Sequence, residues 1–239
     1  MGSSSARCTP GWGNCRKQKC RTHWRTSGCS CNRASDNRAA RREGPFVKQL
    51  TRGDGLLLVD MQNDFLPGGA LAVPGSDGIV PVLRQYVLLF VEHALPVFAT
   101  RDWHPPNHCS FRPQGGPWPP HCLAYSPGAG FPEALQLPTH AIVISKGTDP
   151  NREAYSGFQD TLLHDRLQSC GVTRLYVGGL ATDYCVLETV RDARQLGYAV
   201  YLLIDAIQAV NVRPDDGRQA EETMVLAGAV PLRVEQLVA

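Results

Sequence analysis

The sequence predicts an α/β protein whose doubly wound, mainly parallel sheet is covered by helices on both faces. Three observations lead to this prediction: short apolar runs recur along the chain, segments with helical spacing separate them, and polar residues or glycines follow each run. Runs that are apolar on both faces are typical of strands buried in a parallel sheet. Their alternation with helices indicates right-handed crossovers. With 239 residues, 43% of them hydrophobic, the chain can bury a large core.

The predicted strands are the apolar runs that end at a polar residue or at a glycine pair. They span residues 56–59, 97–100, 141–144, 175–177 and 200–204. The predicted helices are segments whose apolar residues recur three or four positions apart. They cover residues 79–90, 158–167, 186–193 and 220–227. The third helix is expected to stop at Gly197, a natural position for a left-handed cap.

Residues 1–50 differ from the rest of the chain. They have a net charge of +9 and five of the nine cysteines, whereas the remaining residues have a net charge of −7. Almost no branched aliphatic residue precedes Val47, so we expect a disordered extension, followed by a folded domain at 51–239. An organellar targeting segment and a zinc- or RNA-binding module are the alternatives for this extension.

Hydropathy and cysteine usage restrict the cellular setting. No apolar run reaches the roughly 18–20 residues that a membrane-spanning helix needs, so we expect no membrane partner. An odd number of scattered cysteines does not suggest a secreted disulfide framework. A reducing compartment is therefore expected, the cytoplasm first and an organelle as the alternative. The acidic domain is not expected to bind nucleic acid. The sequence is compatible with a homo-oligomer.

Residues with catalytic chemistry follow the predicted strands, and ligands of open parallel sheets bind beyond the carboxyl ends of the strands. The residues at these ends are Asp60, Asp102, Lys146, the turn at 178–185 and Asp205. Cys185 is expected in the first turn of a helix, where the positive helix end favours a thiolate. Asp60, desolvated at a strand end, could act as the base, with Lys146 orienting it. The alternatives are an inert buried cysteine and a surface ion pair.

A second group of residues has the composition of a metal site. Asp102, His104 and His121 offer one carboxylate and two imidazoles, a set that suits Zn²⁺, Fe²⁺ or Mn²⁺. The loop at 103–139 contains nine prolines, and a loop of this length inside a compact domain is usually functional. His108 and Ser110 are candidates for extra ligands or for supports of the ligands. A polar loop without a metal is the alternative.

Six segments in order resemble the isochorismatase-like cysteine hydrolase superfamily, and within it the nicotinamidases. They are VDMQNDF at 59–65, DWHPPNHCSF at 102–111, WPPHC at 118–122, KGTDP at 146–150, YSGF at 155–158 and GLATDYCV at 179–186. The resemblance extends over residues 55–232 and identifies the domain at 51–239 as an isochorismatase-like hydrolase. The extension at 1–50 has no counterpart in the family.

The resemblance implies the roles of the site residues. The implied catalytic residues are Asp60, Lys146 and Cys185; the implied metal ligands are Asp102, His104 and His121; the implied oxyanion hole consists of the amides of Ala181 and Cys185. Water or a variable fourth protein ligand would complete the metal shell. The resemblance also implies a cis peptide bond between Leu180 and Ala181. Zinc is the expected metal, with iron and manganese as alternatives.

The implied activity is hydrolysis of nicotinamide to nicotinate and ammonia through a thioester on Cys185, a step of NAD salvage. Phe65, Trp118 and Tyr155 match aromatic positions of the nicotinamidase pocket, and such side chains favour a flat ring. The pyridine nitrogen would bind the metal, which templates the ring and does not generate hydroxide.

Three alternatives compete with this hypothesis. The first is a related amidohydrolase acting on another small amide or ureido compound. The second is a scaffold whose basic extension is the active part, and the third is an inactive relative. The sequence departs from the family at Ala124–Tyr125 and at Gly130, and we expect Tyr125 to crowd or reshape the entrance of the pocket.

Overall fold

The computed structural model describes residues 48–238. Residues 1–47 of the predicted extension therefore lie outside the described part of the chain. The elements, in chain order, are β1 Lys48–Gln49, β2 Asp54–Val59, α1 Val80–Glu92, β3 Val97–Asp102, β4 Ile142–Lys146, α2 Leu163–Ser169, β5 Arg174–Leu180, α3 Leu187–Gln195, β6 Ala199–Gln208, α4 Asp216–Leu226, β7 Val230–Leu232 and β8 Leu237–Val238. No helix within this part of the chain is long and apolar enough to cross a membrane.

The central sheet has six parallel strands in the order β4-β3-β2-β5-β6-β7. This arrangement confirms the predicted fold class, and all five predicted strands are present. β7 was not predicted because its three residues are too few for a recognisable apolar pattern. β1 and β8 form a separate parallel pair. Lys48 and Gln49 therefore pair with the last described residues, although both precede the predicted boundary after residue 50.

The sheet is buried on both faces by helices. Consecutive residues of a strand point to opposite sides of the sheet, so they pack in different clusters. Leu56 and Leu58 of β2 pack in the cluster that contains α1, whereas Leu57 and Val59 pack with α2, α3 and α4. All four side chains are completely buried. Burial of a leucine or valine side chain contributes about 1.5–3 kcal/mol, so β2 is a major source of the fold's stability.

Two sequence predictions need correction. The second helix begins at Leu163, and Phe158 lies before it in a turn. Asp205 lies in an irregular part of β6, between the pairs Val177–Leu202 and Gly179–Ile207, and not at the site. Its carboxylate accepts hydrogen bonds from Tyr86 Oη (2.8 Å) and from the Val234 amide (2.9 Å). Both oxygens of Asp205 are therefore used to join β6 to its neighbours.

The carboxyl end of β2 is shaped by unusual backbone. Asp60 has a φ of 49°, so the chain turns away from the sheet directly after Val59. Gly179 of β5 faces this turn with a φ of 124°, and an added Cβ would lie 2.1 Å from Val59 O. No other residue fits there without moving the strand. This close approach brings the end of β2 beside the turn that contains Cys185.

Candidate active site

The structure brings Asp60, Lys146 and Cys185 together at the carboxyl ends of β2, β4 and β5. Lys146 Nζ lies 2.9 Å from Asp60 Oδ2, 3.4 Å from Cys185 Sγ and 2.5 Å from Asp102 Oδ1. One carboxylate oxygen each of Asp60 and Asp102 and the sulfur of Cys185 lie within 4.8 Å of one another. All of these residues are buried. The ammonium group therefore lies at the centre of two acids and a thiol.

Asp60 has the surroundings of a general base. Burial raises the pKa of its carboxyl group above the usual value, and the charge of Lys146 offsets part of this rise. Thr100 Oγ1 donates a hydrogen bond of 2.7 Å to Oδ1, whereas Oδ2 accepts no hydrogen bond within residues 48–238 and forms an ion pair with Lys146 at 2.9 Å. Asp60 Oδ2 is thus available for a proton from a neighbouring group.

Cys185 lies in a π-helical turn, Thr182–Val186, that leads into α3. Burial raises the pKa of its thiol well above the usual value, and the nearby Asp60 and Asp102 add to this effect against the opposing charge of Lys146. This direction is opposite to the one expected for a thiol at a helix end. Cys185 is only 7% exposed and faces two carboxylates, and both features oppose the effect of the helix dipole. A thiol with a raised pKa needs a base to become a nucleophile.

The backbone before Cys185 has the geometry implied by the family resemblance. The peptide bond between Leu180 and Ala181 is cis. The Ala181 carbonyl accepts hydrogen bonds from the amides of Tyr184 (3.1 Å) and Val186 (3.0 Å). Within residues 48–238 the Ala181 amide donates to no protein group. This amide could therefore donate to an oxyanion formed beside Cys185.

Asp102, His104 and His121 also lie together. Asp102 Oδ2 is 3.6 Å from His104 Nε2 and 4.0 Å from His121 Nε2. His104 Nδ1 lies 2.8 Å from Gly147 O, and His121 Nδ1 lies 2.8 Å from Pro119 O. Because a carbonyl only accepts, each Nδ1 must bear a hydrogen, so in the neutral ring Nε2 is the nitrogen that could bind a metal ion. This donor set could hold a divalent metal ion.

His108 and Ser110 support this set and do not complete it. His108 Nε2 lies 3.0 Å from Arg152 O, and its Nδ1 lies 2.7 Å from Ser110 Oγ. Both ring nitrogens are therefore occupied, which excludes the arrangement in which His108 is an extra ligand. Its ring packs 4.1 Å from that of His104, at an interplanar angle of 33°. Burial and the neighbouring His104 lower the pKa of His108, consistent with a neutral ring.

A cavity of about 510 Å³, counting the space at its mouth, opens over the nucleophile and the candidate metal ligands. Its lining includes the predicted aromatic residues Phe65, Trp118 and Tyr155. Trp118 Nε1 donates a hydrogen bond of 3.2 Å to Tyr155 Oη. Tyr184 is a further aromatic residue of the lining, with its ring 5.3 Å from that of Trp118 and 5.7 Å from that of Tyr155. Tyr184 was not among the predicted pocket residues, although its position next to Cys185 in the sequence could have indicated it.

Tyr125 does not crowd the entrance, contrary to expectation. Its side chain is 91% exposed, and it is not among the residues that line the cavity. Its ring packs edge-to-face against Trp103 at 5.1 Å, and Arg101 covers the Trp103 ring at 3.6 Å. A φ of 67° directs Tyr125 to the outer surface of the loop.

Comparisons with known proteins show the family to which this chain belongs. The isochorismatase domain family matches residues 54–236. The nicotinamidase of Escherichia coli (strain K12) is 42% identical over 195 residues, which are 73% of this chain and 92% of that protein. Pyrazinamidase of Pyrococcus horikoshii, solved in complex with zinc, is 48% identical with a TM-score of 0.73 and covers 76% of this chain and 99% of its own. PnC1 from L. infantum, solved in complex with nicotinate, is 37% identical with a TM-score of 0.72. The match covers 81% of this chain and 99% of that chain.

The fold and the buried cysteine, lysine and aspartate define a cysteine hydrolase. The chain belongs to the isochorismatase family. Among the members of this family, it is similar to the nicotinamidases and pyrazinamidases along almost their whole length.

Proposed function

We propose that this protein hydrolyses nicotinamide to nicotinate and ammonia in NAD salvage. The observation that supports this activity best is the contact of Lys146 Nζ with Asp60 and with Cys185 and Asp102, two residues that line one aromatic cavity. The nicotinamidase relatives and the nicotinate-bound neighbour support the choice of substrate.

The geometry suggests a thioester mechanism. Asp60 takes the thiol proton of Cys185, and Sγ forms a bond to the carboxamide carbon. The negative charge on the carboxamide oxygen is stabilised by the amides of Ala181 and Cys185. The C–N bond then breaks as Asp60 returns the proton to the leaving ammonia. Water, deprotonated by Asp60, attacks the thioester carbon; the S–C bond breaks, Sγ recovers the proton and nicotinate leaves.

The walls of the cavity favour a flat substrate. Phe65 lies beside His121 at a ring distance of 5.6 Å, and the Trp118–Tyr155 pair forms another part of the lining. Aromatic walls interact best with a planar ring through offset and edge contacts. We therefore assign Phe65, Trp118 and Tyr155 to binding of the pyridine ring.

We assign one divalent metal ion to Asp102, His104 and His121, and zinc is the proposed identity, with iron and manganese as alternatives. The fixed Nδ1–H tautomers fit this assignment because both Nε2 atoms are left free beside a carboxylate. When bound, the ion would act as a template for the pyridine nitrogen. The zinc-bound neighbour from Pyrococcus horikoshii supports this choice.

The activity can be tested on the full-length protein by measuring ammonia release. We expect turnover of nicotinamide and pyrazinamide, loss of turnover after treatment with a chelator, and recovery when zinc is added. An N-carbamoyl amino acid, in a parallel assay, represents the alternative ureido substrates. Faster release of ammonia from the ureido compound than from nicotinamide would reject the proposed substrate in favour of the related amidohydrolase.

The raised pKa of Asp60 predicts a shifted pH profile. Asp60 must be ionised to accept the thiol proton, so kcat/KM should fall with decreasing pH through a midpoint above about 3.9, the usual pKa of aspartate. Thr100→Val removes the hydrogen bond that stabilises the ionised form and should move this midpoint upward. Thr100→Ser keeps the donor and is the control. If the fall of kcat/KM at low pH has the same midpoint in the wild type, Thr100→Val and Thr100→Ser, the assignment of Asp60 as the base is contradicted.

A further inference from the structure

Gln62 is a completely buried amide side chain that contacts the backbone of a candidate metal ligand. Its Nε2 donates to Asp102 O at 2.8 Å, and its Oε1 accepts from the Asp102 amide at 2.7 Å. The second hydrogen of Nε2 is directed to Ala129 O at 3.0 Å. Gln62 therefore uses both of its donor hydrogens and its acceptor, and none of these bonds involves solvent.

Asp102 needs such a partner because β2 ends before it. In a parallel sheet, the amide and carbonyl of one residue point to the same neighbouring strand. The Asp60 amide still bonds to Thr100 O at 3.2 Å, but the chain then leaves the sheet through the positive φ of Asp60. The amide and carbonyl of Asp102 are thus left without a strand partner on this side. The side chain of Gln62 supplies the two hydrogen bonds that a continuation of β2 would have made.

On its other side, β3 stays fixed by β4. Asp102 is paired with Lys146, and the Trp103 amide donates to Lys146 O at 3.0 Å. The end of β3 is therefore held from two directions, by β4 and by Gln62. This matters because the two carboxylate oxygens of Asp102 have different neighbours: Oδ1 contacts Lys146, whereas Oδ2 faces the Nε2 atoms of the two histidines.

We propose that Gln62 is a positioning residue of the metal centre. By fixing the backbone of Asp102, it directs Oδ2 to the metal and Oδ1 to Lys146, and through Ala129 it also holds the proline-rich loop that contains His121. This inference rests on the proposed metal site. Residues that orient a ligand, without binding the metal themselves, typically change metal affinity by about 10–100-fold when replaced.

The test measures zinc affinity of the metal-stripped, full-length protein by competition with a zinc indicator. Gln62→Met removes all three hydrogen bonds and should weaken binding at the centre by about 10–100-fold. Gln62→Glu keeps the shape and the acceptor for the Asp102 amide, so a smaller loss is expected. Asn63→Ala is the matched control, because Asn63 Nδ2 anchors the same loop through Pro127 O (2.8 Å) and does not contact Asp102. Its zinc affinity should stay within about twofold of the wild type.

The cysteines of residues 1–50 could bind zinc independently, so the centre is defined as the zinc binding that His104→Ala abolishes. Wild-type affinity in folded Gln62→Met, or in Gln62→Glu if the methionine variant does not fold, would overturn the inference. An equal loss in Asn63→Ala would also overturn it, because the effect would then come from the loop alone. If His104→Ala binds zinc as well as the wild type, the metal centre itself is rejected, which distinguishes failure of the proposed function from failure of this inference.

Discussion

Replacement of Cys185 with alanine should reduce the release of ammonia from nicotinamide by about 10⁴-fold or more. The sulfur is the nucleophile of the proposed reaction, and within residues 48–238 the other cysteines are Cys109, Cys122 and Cys170, none of which lines the cavity. The change removes one buried atom, so the fold should survive. Steady-state rates and circular dichroism of the purified variant measure the two effects separately.

The control for this variant is Cys170→Ala, because Cys170 is exposed and should not affect turnover. Rapid quenching of the wild-type enzyme with nicotinamide should give a nicotinoyl adduct on the peptide that contains Cys185. Neither the adduct nor turnover is expected in Cys185→Ala. Turnover within tenfold of the wild type in that variant would reject the cysteine mechanism.

The fold was predictable because its main driving force is visible in the sequence. The runs at 56–59 and 175–177 are completely apolar and short, and they form the two central strands β2 and β5. The strands that the sequence did not predict, β1, β7 and β8, have only two or three residues. Such strands are stabilised by their neighbours in space and have no pattern of their own.

The composition of the site was also predictable, whereas its protonation and its supports were not. Asp60, Lys146 and Cys185 were placed at strand ends, and the structure brings them together. Asp205 was placed there too, but the irregular part of β6 moves it to Tyr86. The raised pKa of the Cys185 thiol depends on burial beside two acids, which spacing along the chain does not reveal. The disordered extension, the compartment and the oligomeric state stay predictions.

Lys146→Met should damage both the stability and the activity of the protein. The ammonium group is buried between Asp60 and Asp102, and these acids together raise its pKa well above the usual value, although burial alone would lower it. Methionine fills a similar volume but leaves the two carboxylates facing each other without a cation. Removal of one partner from a buried ion pair costs about 3–5 kcal/mol of unfolding free energy. Denaturant unfolding of the metal-stripped protein measures this loss.

The control is Arg191→Met, which breaks an exposed pair with Glu188 (2.9 Å) and should change stability by no more than about 1 kcal/mol.

The loss of unfolding free energy in Lys146→Met should increase as the pH rises. In the wild type, Lys146 and His104 outweigh the effect of burial and hold the pKa of Asp102 below its usual value, so the ionised form is favoured by folding. In the variant, the facing carboxylates raise the pKa of at least one acid above its value in the unfolded chain.

A group whose pKa is raised by folding binds protons more tightly in the native state, so its contribution to stability decreases as the pH rises. The stability difference between wild type and Lys146→Met should therefore be larger at pH 8 than at pH 5. Activity should fall by at least about 10³-fold at both values, because the proton shared by the two acids leaves either the base or the metal ligand neutral. A difference in unfolding free energy that is constant with pH would show that Lys146 acts by packing and not by its charge.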